Sequence, residues 1–152
     1  MSTPTYRVAL AVVLIDQISK AWALQHLAGR GVQPLVPGLL QQQLVFNTGA
    51  AFSMLSGNAA ALGAVSALVA IALVTWIQTA GPLRRLQWLG LGLLLGGAVG
   101  NGLDRWRLGM VVDFLELVPI SFPVFNGADV AINLAVACLV LDGVRQYGAR
   151  AR

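Results

Sequence analysis

Charge is scarce in this chain. Of its 152 residues only 11% are Asp, Glu, Lys or Arg, against about a quarter in a soluble domain. Cysteine and histidine are scarcer still, at one apiece. The single Cys138 excludes an intrachain disulfide. It lies in the apolar run Val130–Leu141 with no cationic neighbour to draw out a thiolate, and reads as a small buried hydrophobe. The single His26 leaves no His/Cys ligand cluster, no HExxH helix and no His-assisted serine or cysteine. A glycine-rich phosphate loop is also missing. These absences leave no motif for a metal or a cofactor. The few charges are uneven in sign, with 10 Lys and Arg against 6 Asp and Glu, a net +4. The basic residues lie between apolar runs instead of clustering among aromatics, so nucleic acid is not an expected partner.

What fills the chain is apolar: 57% of it is hydrophobic, and its mean hydropathy is +0.75. A soluble core of this size cannot hide so much apolar surface, and the length suits one domain, residues 1–152, with lipid as its solvent. Four runs approach the roughly 20 residues that cross a bilayer: Tyr6–Leu27, Ala59–Ile77, Leu86–Leu103 and Val124–Leu141. A cleavable leader at the N-terminus fits poorly, because Asp16 and Lys20 interrupt the first run and further runs follow. The expected fold is an all-α membrane protein of four transmembrane helices. Between the first two, Gly29–Asn58 is rich in turn formers, and Leu39–Phe46 within it suits short strands. Gln78–Arg85 is a short polar link, and Asp104–Pro123 reads as a second long connector.

Arg7, Arg84, Arg85, Arg145, Arg150 and Arg152 flank one side of these spans, whereas Lys20, Arg30, Arg105 and Arg107 fall on the other. The excess of basic residues marks the cytoplasmic side, so both termini are expected there. Trp22, Trp76, Trp88 and Trp106 lie near span ends, as lipid-interface anchors do, and His26 reads as a solvated interface residue. Gly92, Gly96 and Gly100 form a small-residue ridge for close helix approach. The stripe beside it runs through Gly97 and Asn101 to Arg105, so this packing face ends in polar groups.

A charge at the centre of a membrane segment costs roughly 2.5–3.5 kcal/mol, and persists where it is paired, solvated or used. With the chain oriented as above, Asp16, Lys20, Asn101, Asp104, Arg105, Asp113, Asn126, Asp129 and Asn133 all fall in the outer half or at the outer surface. Asp16 and Lys20 are at i, i+4 and share a helix face. Asn126, Asp129 and Asn133 follow i, i+3, i+7 along the fourth helix. Asp142 lies about 20 Å along that helix from Asp129 and belongs to the other end. Carboxylates are thus the abundant reactive groups. Two that meet share a proton, and one can then activate water while the other protonates a peptide. Spacing alone leaves open which two meet. A Ser/Lys peptidase using Ser53 and Lys20, a proton-coupled transporter or channel, and an inert scaffold are the competing classes.

Five segments occur in order: DQISK (Asp16–Lys20), FNTGAAFS (Phe46–Ser53), GNGLDR (Gly100–Arg105), VVDF (Val111–Phe114) and FNGAD (Phe125–Asp129). Together they resemble the motif set of the lipoprotein signal peptidases, signal peptidase II, over the stretch Asp16–Asn133. The resemblance implies an aspartic endopeptidase of the bacterial cytoplasmic membrane that uses no metal, with the loop carrying FNTGAAFS forming a small extracytoplasmic β-platform between helices one and two. It implies cleavage of prolipoproteins before a cysteine carrying diacylglycerol, with membrane lipid around a monomer. Matched by motif, the catalytic pair is Asp113 and Asp129. Asp16, Lys20, Asn47, Asn101, Arg105 and Asn126 match residues that bind substrate or hold the site together, and Gly49 meets a backbone requirement.

The orientation is open to direct test. Reporter fusions placed after Arg152 should report the cytoplasm, and fusions within Gly29–Gly38 the opposite side. An extracytoplasmic signal from the C-terminal fusion reverses the topology.

Overall fold

The computed structural model describes residues 3–49, 58–120 and 122–150. Along the chain run α1 (Thr3–His26), β1 (Gln33–Val36), β2 (Leu40–Asn47), α2 (Ala59–Thr79), α3 (Arg85–Leu108), β3 (Val111–Leu117) and α4 (Gly127–Arg150). All four helices are long and apolar enough to cross a membrane. They alternate in direction, so α1 and α3 end, and α2 and α4 begin, at the end of the bundle that carries the strands.

All four helices depart from the apolar runs at one end or both, most of all α3 and α4, the latter running on past Leu141 to Arg150. Helix α3 continues through Asp104, Arg105 and Arg107 to Leu108, because the i→i−4 backbone ladder is indifferent to side-chain charge once the helix leaves hydrocarbon. It stops at Gly109, whose φ of 72° suits glycine and whose N–H donates to the Arg105 carbonyl. Helix α4 begins at Gly127 and not at Val124. The preceding Phe125 is extended instead and exchanges backbone hydrogen bonds with Leu115 at 2.8 and 2.9 Å.

Helix α3 is the hub. Its spanning stretch is 56% buried, against 22% in each of the other three. The glycines explain this. A Cβ on Gly92 would lie 2.6 Å from the Thr5 carbonyl oxygen, and one on Gly96 2.6 Å from Val12 Cβ and 2.8 Å from the Ala9 oxygen. On the adjoining stripe a Cβ on Gly97 would lie 2.7 Å from the Ala128 oxygen. One glycine row therefore admits the backbone of α1 and the next that of α4. Ala9, Leu73, Ile77, Leu91 and Leu95 close the core between α1, α2 and α3. Leu10, Leu14, Ile15 and Ile18 on α1, and Val136, Val140 and Val144 on α4, face outward, which suits hydrocarbon as the surrounding medium.

The strands correct one expectation. They form an antiparallel sheet in the order β1-β2-β3. The third strand comes from between α3 and α4, so the platform is not confined to the segment between helices one and two, and Asp104–Pro123 is no plain connector. The sequence VVDFLEL has the β-branched and aromatic content of a strand. It pairs Asn47 with Val111, Val45 with Asp113 and Gln41 with Glu116. Phe114 packs on Ala23 and Leu27, fastening the sheet to the end of α1.

Gly96→Ala is expected to lower stability by about 1–3 kcal/mol, the range for overpacking a filled interior, because backbone of α1 must move to admit the methyl. Gly148→Ala has nothing within 4 Å of its Cβ and is expected to lose nothing. Thermal unfolding of both variants in detergent checks the pair, and an equal response from the two would contradict tight α1–α3 packing.

Candidate active site

Lys20 organises the polar end of the bundle. It is 2% exposed, and its Nζ lies 2.9 Å from Asp16 Oδ2 and 2.9 Å from Asp104 Oδ2. A third contact, also 2.9 Å, goes to Asn101 Oδ1. Ions withdrawn this far from water are tolerable only when every donor and lone pair is engaged, and the carboxylates are engaged further. Asp16 Oδ1 accepts the Ala128 N–H at 2.9 Å. Asp104 Oδ2 accepts the Val112 N–H at 3.2 Å. Gly100 makes room, since a Cβ there would lie 2.6 Å from Asp16 Oδ2.

Two asparagines carry the network onward. Asn101 donates from Nδ2 to Asp129 Oδ1 at 2.9 Å. Asn126, fully buried, donates from Nδ2 to Asp113 Oδ1 at 2.6 Å and to Asn101 Oδ1 at 3.1 Å. It also caps α4. Its Oδ1 accepts the Asp129 N–H at 3.0 Å, while Asp129 Oδ2 accepts the Asn126 N–H at 3.1 Å. This reciprocal pattern is a capping box with Asp at the third position. Helix initiation and placement of the Asp129 carboxylate are thus one event.

Asp113 is held from the sheet side as well. Asn47 Nδ2 donates to its Oδ2 at 3.0 Å, and Asn47 Oδ1 accepts the Gly49 N–H at 2.9 Å. Arg105 spends its guanidinium on backbone, donating to the Gly49 carbonyl at 3.0 Å and the Asn101 carbonyl at 3.2 Å. Every residue singled out for the site therefore enters one connected network: Asp16, Lys20, Asn47, Gly49, Asn101, Arg105, Asp113, Asn126 and Asp129. Among the described residues, neither Asp113 nor Asp129 is ion-paired. Burial pushes the Asp113 carboxyl up to about 6; hydrogen bonds from Asn47 and Asn126 and the charge of Lys20 oppose the rise, and the nearby Asp129 adds to it.

Other candidates fall outside this network. Asn133 is exposed and donates to the Asp129 carbonyl of its own helix. His26 stacks on Trp22 with centroids 5.2 Å apart. Asp142 sits at the opposite end, gripped by Arg84 at 2.7 and 3.0 Å. Ser53 lies outside the described residues. One member escaped the sequence reading. Gln17 donates to Asp104 Oδ1 at 3.0 Å and Asp16 Oδ2 at 3.2 Å, and accepts from Arg107 at 3.2 Å. Its position inside DQISK, beside Asp16, was the available signal.

Fold and site together define a multi-pass membrane protein that gathers carboxylates, amides and one ammonium at one end of its bundle. The chain belongs to the signal peptidase II family: the family model described as Signal peptidase (SPase) II matches residues 8–145. The lipoprotein signal peptidase of Synechococcus sp. (strain RCC307) is 52% identical over 91% of this chain and 92% of its own. That of Parasynechococcus marenigrum (strain WH8102) is 50% identical over 91% and 87%. Among solved structures, a bacterial membrane enzyme determined by the in meso method at 2.3 Å superposes with a TM-score of 0.88 at 27% identity, covering 94% of this chain and 88% of that one.

The raised Asp113 carboxyl predicts a pH signature. From an ordinary value of 3.8 up to about 6, the folded state holds a proton that the unfolded state has released. Stability therefore falls as pH rises through that window, and the penalty is complete above it, at about 3 kcal/mol. Asp113→Asn lacks this penalty. Its stability relative to the parent should climb from about pH 4 to about pH 7 and then level, on top of a constant loss because one amide oxygen must serve two donors. Thermal unfolding across that range measures the difference, and a pH-independent offset contradicts a buried titrating carboxyl.

Proposed function

We infer that this chain is a lipoprotein signal peptidase, a membrane-embedded endopeptidase that removes the signal peptide from bacterial prolipoproteins. It is a multi-pass protein of the bacterial inner membrane. We place the cut before the diacylglyceryl-modified cysteine and assign the chemistry to Asp113 and Asp129. The chain acts as a single domain and a monomer, with both termini cytoplasmic and the sheet end extracytoplasmic. One observation carries the assignment: Asn126 bonds both carboxylates, and among the described residues neither is ion-paired.

In this mechanism the pair holds one proton. The ionised member takes a proton from water as the oxygen attacks the scissile carbonyl. The protonated member donates to the carbonyl oxygen, giving a gem-diol; as the C–N bond breaks, the proton gained from water passes to the leaving amine and one gem-diol hydroxyl returns its proton to the second carboxylate, which restores the pair and leaves a carboxyl product. Asn47, Asn101 and Asn126 supply N–H donors that hold the carboxylates apart and aimed. Lys20 is an unsuitable base for a Ser53 nucleophile: its ammonium is buried among three acceptors at 2.9 Å. A proton path across the membrane has little support either, because Asp142 at the far end is committed to Arg84.

Asp113→Asn and Asp129→Asn are each expected to abolish cleavage of a diacylglyceryl-modified prolipoprotein while leaving the protein in the membrane. The double variant should be no worse than either, since groups acting as a unit are not additive. The parent's pH–rate profile should be bell-shaped, with apparent pKa values that belong to the pair. Ser53→Ala should cleave normally. Near-parental cleavage by purified Asp113→Asn would defeat the mechanism.

A further inference from the structure

We propose that Lys20 is a positioning residue that sets the separation of Asp113 and Asp129 through two carboxylates, Asp104 and Asp16, each of which grips the backbone N–H one residue before a reacting aspartate. Asp104 holds the N–H of Val112, next to Asp113. Asp16 holds the N–H of Ala128, next to Asp129. Lys20 Nζ joins the two carboxylates at 2.9 Å each. The strand bearing one aspartate and the helix bearing the other are thereby clamped to one ammonium on α1.

Simpler purposes do not account for this. An i, i+4 pair on α1 needs only Asp16, yet Asp104 of α3 is drawn onto the same ammonium. Two carboxylates against one cation leave a buried excess of negative charge, a poor arrangement for stability alone. Well-packed apolar residues of the same volume hold helices at least as well. The Ala128 amide also depends on its carboxylate. Ala128 lies in the first turn of α4, where no intrahelical acceptor exists. The third Lys20 contact aims the pair as well. An ammonium offers no acceptor, so Asn101 must turn its oxygen to Lys20 and its NH2 to Asp129.

For this role Asp113 and Asp129 must be the reacting pair, as proposed above. The test combines kinetics with amide hydrogen exchange, followed by NMR on the full-length protein in micelles. In Lys20→Met, kcat should fall at least tenfold with KM held within about twofold. The Val112 and Ala128 amides should both exchange at least tenfold faster, and the Leu95 amide in the middle of α3 should be unchanged. Lys20→Met, Asp16→Asn, Asp104→Asn combined removes every charge but keeps an acceptor for each amide, and should show the same two losses. Parental kcat in either variant overturns the proposal. So does lost cleavage with both amides still protected, or failure of both variants to accumulate in the membrane, which would make the cluster a folding element. Asp113→Asn runs alongside, with cleavage lost and Ala128 exchange unchanged. Normal cleavage by that variant sinks the pair reading while the exchange results stand on their own.

Discussion

An ammonium buried among two carboxylates and an amide oxygen is the constraint on which the strand-bearing end of this protein depends. In water the Lys20 contacts would be worth little. Inside a bundle that excludes water, each partner left unpaired carries the full desolvation cost of a buried charge. Three helices and a strand meet around Lys20 through Asp16 of α1, Asn101 and Asp104 of α3, Ala128 of α4 and Val112 of β3. The glycine rows of α3 are the apolar counterpart. They bring the α1 and α4 backbones near enough for short side chains such as Asp and Asn to span the gap.

Much of this was legible from residue types and spacing, for identifiable reasons. The helices announce themselves because lipid demands long uncharged runs. The polar residues announce themselves because a membrane interior tolerates them only with a purpose. The Gly92–Gly96–Gly100 ridge marked a close helix contact in advance, though not that α1 would fill it. Less visible was β3. Seven residues cannot declare a strand when their pairing partner, β2, lies more than sixty positions earlier, and VVDFLEL reads equally well as the edge of a span. The start of α4 was misplaced because hydropathy continues through Val124 and Phe125, whereas the helix begins where the Asn126–Asp129 capping box satisfies its first N–H groups. That N-x-x-D pattern was in the sequence, hidden beneath its reading as a one-faced stripe.

The two aspartates are supported unequally. Asp129 is built into a helix start, so its position follows from the local rules that begin α4. Asp113 depends on long-range pairing of β3 with β2 and on Asn47, near the far end of the loop between α1 and α2. Arg105 reinforces that dependence by fastening α3 to the Gly49 carbonyl just beyond Asn47. Damage to the loop should therefore reach Asp113 before Asp129.

The same asymmetry bears on why carboxylates suit this place. A serine or cysteine nucleophile needs a neighbouring base whose neutral form survives next to it, and the cation-holding cluster around Lys20 offers none. A carboxyl pair carries both proton donor and proton acceptor in one chemical type, so its environment has only to keep one member from ionising too readily. Burial on β3 does this for Asp113, lifting it to about 6 against the pull of Asn47, Asn126 and Lys20. The fold bears that burden as a loss of stability near neutral pH. Lys20 ion-pairs with Asp16 and Asp104, whereas among the described residues no salt bridge reaches Asp113 or Asp129; carboxyls held in that state are of the kind that proton-transfer sites use.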